Sequence, residues 1–151
     1  MILDLLGNKI LVTALISWGV AQALKFTIYF LINGKIDLSR LLGDGGMPSG
    51  HSATVTSLAI MTGQIYGVGS GAFALALILA VIVMHDAMGV RLETGKQAQM
   101  INRLVNIFED INHIEITNDM LKEFIGHTPL QVVCGSIVGI ITSLIMIAIY
   151  F

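Results

Sequence analysis

The spacing of apolar and polar positions divides the chain into four apolar runs and one polar region. The first run, Ile10 to about Ile32, has the ~20 residues a helix needs to span a bilayer, but it carries Gln22 and Lys25. The second, Ser52 to about Tyr66, is short and rich in Ser and Thr, which predicts a helix tilted or buried among the others. The third, Ala72 to about Val90, is apolar until HDAMGVR, and the fourth, Leu130 to Phe151, is apolar almost throughout. Residues 91–129 form the polar region. Within it, GKQAQMINRLVNIFEDI has apolar residues near helical spacing and predicts a helix lying along the interface. TNDMLKEFIG offers Thr117 or Asn118 as N-cap and Gly126 as a stop. With no internal repeat or second boundary, the expectation is one all-α membrane domain over residues 1–151. It has about four transmembrane helices and an interfacial helical segment between the third and fourth.

Composition supports that reading. Hydrophobic residues make up 55% and charged residues 12%, half the roughly one-quarter charged share of a soluble domain, and the mean hydropathy is +0.84. A net charge of −2 with no basic stripe argues against nucleic acid as a partner. The lone Cys134 excludes an intramolecular disulfide and reads as a packing residue. The start, MILDLLGNK, has Asp4 where a cleavable signal would be basic.

Four alternating helices place the end of the first and third, and the start of the second and fourth, on one side. Lys25, Lys35, Arg40, His51, His85, Asp86, Arg91 and His127 all fall at or near that side, whereas the other has Asp4, Lys9 and GVGSG. The positions of Lys35, Lys96, Arg103 and Lys122 lean toward a cytoplasmic site. Lys25 can either snorkel to the headgroups or face a polar site. Asp86 has too short a side chain to snorkel and is expected to pair with Lys25 or Arg91.

Residues 43–54 read GDGGMPSGHSAT and run directly into the second helix. A helix N-terminus presents unpaired N–H groups and the positive end of the dipole, which suits an anion. Gly45, Gly46 and Gly50 allow close backbone approach, Ser49 and Ser52 add hydroxyls with either one able to act as N-cap, and Pro48 stiffens the turn. Basic residues on the same side favour phosphate as the anion. His51 sits in this loop and His127 opens HTPLQV before the fourth helix. Two histidines at one anion site can supply a phosphoryl acceptor and a general acid. The spacing does not suggest a metal centre, and His85 and His113 read as interface or packing residues.

GGMPSGHS resembles the second signature of the type-2 phosphatidic acid phosphatase and vanadium haloperoxidase superfamily. The larger set QALK, GGMPSGHSA, HDAMGVR, GKQAQMIN and GHTPLQV resembles its divergent branch, small bacterial and plant membrane proteins. The resemblance implies a metal-independent phosphatase that needs no cofactor and works through a phosphohistidine. By that correspondence His127 is the nucleophile, Gln131 its orienter and His51 the general acid. Ser49, Gly50 and Lys25 would bind phosphate.

The chain departs from the superfamily pattern in three places. No arginine-proline pair follows Lys25, so Lys35 or Arg40 is expected to substitute, with Lys35 preferred because of GKID. Position 121 is Leu, where the pattern has an arginine, so Arg91 is expected to fill that role from the end of the third helix with Asp86 holding it. Gln131 replaces a carboxylate and cannot stabilise an imidazolium by charge. The superfamily core usually has six helices, so four imply a reduced bundle that a homodimer would complete. The expected partner is a phosphorylated membrane lipid and the expected location a bacterial inner membrane. Resemblance to lipid phosphatases with outward-facing sites pulls against the charge bias on orientation. A non-catalytic headgroup-binding protein or scaffold is the alternative, and a transporter is weaker because four helices are few for one.

Overall fold

The computed structural model describes residues 2–34, 36, 46–112, 121 and 126–151, without the side chains of residues 2, 3, 91 and 92. The described residues form six helices: α1 (Ile2–Gly7), α2 (Lys9–Asn33), α3 (Gly50–Tyr66), α4 (Gly71–Met88), α5 (Val90–Asn112) and α6 (Pro129–Tyr150). Three described helices are long and apolar enough to cross a membrane: α2, the run beginning with α4, and α6. The second apolar segment is a shorter, 17-residue helix at the centre, packed against α2, α4 and α6. Its length is about 25 Å at 1.5 Å per residue. The Asx cap that starts α2 is Asn8, whose side chain accepts from the Ile10 and Leu11 amides.

Small residues hold α2, α3 and α6 together, as lipid-embedded interfaces require. On α6 the buried positions Val132, Gly135, Gly139, Thr142 and Met146 repeat at alternating steps of three and four. A Cβ on Gly135 would run into the Ser49 carbonyl oxygen, and one on Gly139 would stand 2.6 Å from that of Ala53. The α2 face contributes Ala14, Ser17 and Ala21, all buried, and Ser17 Oγ donates to the Ala53 carbonyl at 3.0 Å. Both flanking helices therefore converge on one turn of α3.

The chain direction follows from contacts at the two ends of the bundle. Lys9 at the start of α2 donates to the Tyr150 carbonyl at 3.4 Å and lies 4.2 Å from the Phe151 ring centroid. At the opposite end, Lys25 meets Gly46, Ser49 meets Gln131, and Ala87 meets His127. Helices α3 and α6 thus run parallel, with their N-termini side by side.

The start of the interfacial helix differs from the expectation. α4 ends within two residues of Val90, as expected: the Gly89 amide donates back to the His85 carbonyl and closes α4, and Gly89 accepts from Glu93 as the next helix starts at once. Arg91 is consequently in the first turn of α5 and not at the end of α4. The helix expected from Gly95 begins five residues earlier, at Val90. The segment expected to be capped by Thr117 or Asn118 lies outside the described residues.

Candidate active site

The loop before α3 is fixed through Ser49. This residue is fully buried, and its hydroxyl caps the helix by accepting from the Ser52 amide at 3.3 Å and the Ser52 hydroxyl at 3.0 Å. Of the two N-caps expected, Ser49 takes the role. Its own amide donates to the Gln131 carbonyl at 3.0 Å, which ties the loop to the first turn of α6. That amide is committed to the fold, so what Ser49 retains for a ligand is its hydroxyl hydrogen. The Met47–Pro48 peptide is cis, and Gly46 has φ 97°, a backbone geometry that suits glycine. Over Gly46 lies the stem of Lys25, whose Cγ would be 3.3 Å from a Cβ at that position.

Lys25 is only 4% exposed. Burial of a charged group this deep is costly unless it serves a partner or an anion.

His127 is 2% exposed and is held at two points: its amide donates to the Ala87 carbonyl at 3.0 Å, and its Nδ1 lies 3.2 Å from Gln131 Oε1. The Thr128 amide donates to the same Gln131 oxygen at 3.1 Å, while the Gln131 amide donates to the Thr128 hydroxyl at 3.4 Å. This is a reciprocal capping box, and the T-x-x-Q pattern of Thr128 to Gln131 is its sequence signature. The box also fixes the proton on His127. An atom that accepts from a backbone N–H is an oxygen, so Nδ1 carries the hydrogen directed at it, and in the neutral imidazole the lone pair then resides on Nε2. The His51 ring lies beside it, with centroids 6.1 Å apart and planes inclined at 59°.

His51, Asp86 and Ala87 line a cleft of about 230 Å³ between α3 and α4, with Ile82 and Val83 as its apolar wall. Ile82 is 59% exposed, so the cleft borders the outer surface of the bundle. The N-termini of α3 and α6 both point to this end, and their dipoles favour an anion there. Lys35 and Arg40 lie outside the described residues, as do the Arg91 side chain and its expected pairing with Asp86. Among the described residues no cluster of three His, Cys, Asp or Glu side chains has metal-binding geometry. His85 is exposed on α4, and His113 lies outside the described residues.

Sequence reasoning passed over Asn102. It is 7% exposed; its Nδ2 donates to the Leu121 carbonyl at 2.9 Å, and its Oδ1 accepts from the Leu121 amide at 3.0 Å. This two-point clasp joins α5 to the stretch that leads to His127. A polar residue inside the apolar spacing of GKQAQMIN was the available signal.

A Bacillus subtilis (strain 168) protein, "Uncharacterized membrane protein YuiD", is 37% identical over 155 residues, covering 95% of this chain and 97% of that one. No solved structure matches the chain. The apolar helices and this relative together make the chain an integral membrane protein. Residues 6–142 match the Divergent PAP2 family, and the chain belongs to it.

Proposed function

We propose that this protein is a membrane phosphatase of a lipid phosphate or diphosphate, acting through a phosphohistidine in a bacterial inner membrane. The observation that carries the reading is His127. Its Nδ1–H is directed at Gln131, which in the neutral ring leaves the lone pair on Nε2, and a second histidine ring has its centroid 6.1 Å away. In the first step Nε2 attacks phosphorus and the bond from phosphorus to the lipid oxygen breaks, that oxygen keeping the electron pair. His51 donates a proton to it. In the second step His51 takes a proton from water, the water oxygen attacks phosphorus, and the P–N bond breaks to return Nε2. Lys25, the Ser49 hydroxyl, the Gly50 amide and the two helix N-termini stabilise the charge, together with Lys35, Arg40 or Arg91. The apolar wall of Ile82 and Val83 suits a lipid chain beside a polar headgroup.

The test is phosphate release from lipid phosphates in detergent with EDTA present. His127→Ala and His51→Ala are each expected to lower turnover by about 10²–10⁴-fold, and vanadate to inhibit the wild type. Full activity in His127→Ala would sink the assignment.

Gln131 favours a second reading, a headgroup-binding protein with little turnover, because an amide cannot offset the positive charge of a protonated imidazole. Gln131→Glu keeps the acceptor for both Nδ1–H and the Thr128 amide while adding that charge. Turnover that appears only in Gln131→Glu, with lipid binding already present in the wild type, identifies this second reading.

A further inference from the structure

Gln22 stands one helical turn before Lys25 on α2, and nothing above gives it a task. It is 7% exposed, and its buried Oε1 has no hydrogen-bond donor among the described residues. Its Cδ is 3.8 Å from where a Cβ on Gly50 would stand, and the Trp18 ring closes the same approach at 3.4 Å. The amide is therefore packed against the first residue of α3, on the helix face that also delivers Lys25 to Gly46.

A buried carbonyl oxygen without a donor carries its full desolvation penalty, and an apolar side chain of similar length would fill the space without it. The glutamine is thus costly unless a ligand serves its oxygen. The first turn of α3, against which it packs, offers amide donors and the Ser49 hydroxyl to a ligand, and the stem of Lys25 lies over Gly46 in the same loop. Donors of this kind satisfy the acceptor oxygens of a phosphate. An acceptor placed among them has a use only if the ligand itself bears a hydrogen.

We propose that Gln22 is a further ligand-binding residue of this site, its Oε1 accepting a hydrogen bond from the P–OH of a phosphate monoester in its singly charged form. The inference rests on the phosphatase reading and deepens it. The pocket selects a terminal phosphate over a phosphodiester, because a diester of the same charge has no hydrogen to offer. Gln22 makes this selection while Lys25 and the helix ends hold the charge.

Two small ligands isolate that hydrogen. Near pH 5 methyl phosphate is mostly a monoanion, since the second ionisation of a phosphomonoester lies near 6, and dimethyl phosphate is also a monoanion. They differ in one P–OH. Binding of each to the full chain in detergent is read by thermal shift, in the wild type and in Gln22→Met. The wild type is expected to favour methyl phosphate by about tenfold or more, and Gln22→Met to bring the ratio within about twofold. The ligand-free Gln22→Met protein is expected to melt no lower than the wild type. An unchanged ratio in Gln22→Met overturns the role of Gln22 and leaves the phosphatase reading standing. A ligand-free melting point well below the wild type assigns Gln22 to packing and likewise overturns it. Failure of the wild type to bind methyl phosphate removes both.

Discussion

Helices α3 and α4 are adjacent, antiparallel and nearly equal in length, at 17 and 18 residues, yet they are built on opposite plans. α4 is the more apolar, but only Ala76, Ala80 and Ala87 are buried, while Leu75, Ile78, Val81 and Ile82 face outward. α3 is interrupted by Ser, Thr and Gly and has eight buried residues. In water the more apolar helix would be the core. In a bilayer the outward surface is already in an apolar solvent, so size and hydrogen bonding decide what lies inside. Hydropathy along this chain therefore reports lipid exposure, and the polar interruptions mark the centre.

Three substitutions probe that contrast, in order of expected effect. Gly135→Leu would drive a side chain into the Ser49 carbonyl, a backbone atom that cannot swing aside. It should cost about 3 kcal/mol or more, overpacking against a backbone rather than a side chain, seen as loss of the monodisperse folded species in detergent. Ser17→Ala removes the hydroxyl bonded to the Ala53 carbonyl and should cost about 0.6 kcal/mol, and at most about 1.7, in a reversible unfolding measurement in micelles. Leu75→Ala, on the lipid side of α4, should shift stability by less than about 0.5 kcal/mol. A loss of about 2–5 kcal/mol there, typical of a buried leucine, would break the contrast and show that another surface covers α4.

Much of this arrangement is legible in the sequence, for reasons that differ from residue to residue. The apolar runs gave α2 and α6 to within two residues at each end, because a bilayer sets a length that composition reveals. The contact of His127 with Gln131 was readable through the family resemblance, whose pattern has the orienting side chain four residues after the histidine. The second use of Gln131, in the box with Thr128, was equally present as T-x-x-Q but competes with the histidine for the same oxygen, so only geometry shows that one atom serves both. The immediate restart of a helix at Val90 was not legible. Gly89 follows an otherwise helical pattern, and nothing local distinguishes a break there from a tolerated glycine. The parallel contact of α3 with α6 was hidden too. Periodicity identifies Gly135 and Gly139 as small, but their neighbours, Ser49 and Ala53, lie more than eighty positions away in the chain.

The contact of Lys9 with the end of α6 has a consequence for topology. α2, α3, α4 and α6 traverse the bundle in alternating directions, so the start of α2 and the end of α6 lie at one end and the His51 loop at the other, and a bilayer around the bundle would put the two ends in different compartments. Single cysteines placed beside Lys9 and beside Phe151 must react together with an impermeant reagent added to intact cells, or both stay protected. A cysteine beside Gly46 must do the reverse, and this opposition holds whichever way the protein is inserted.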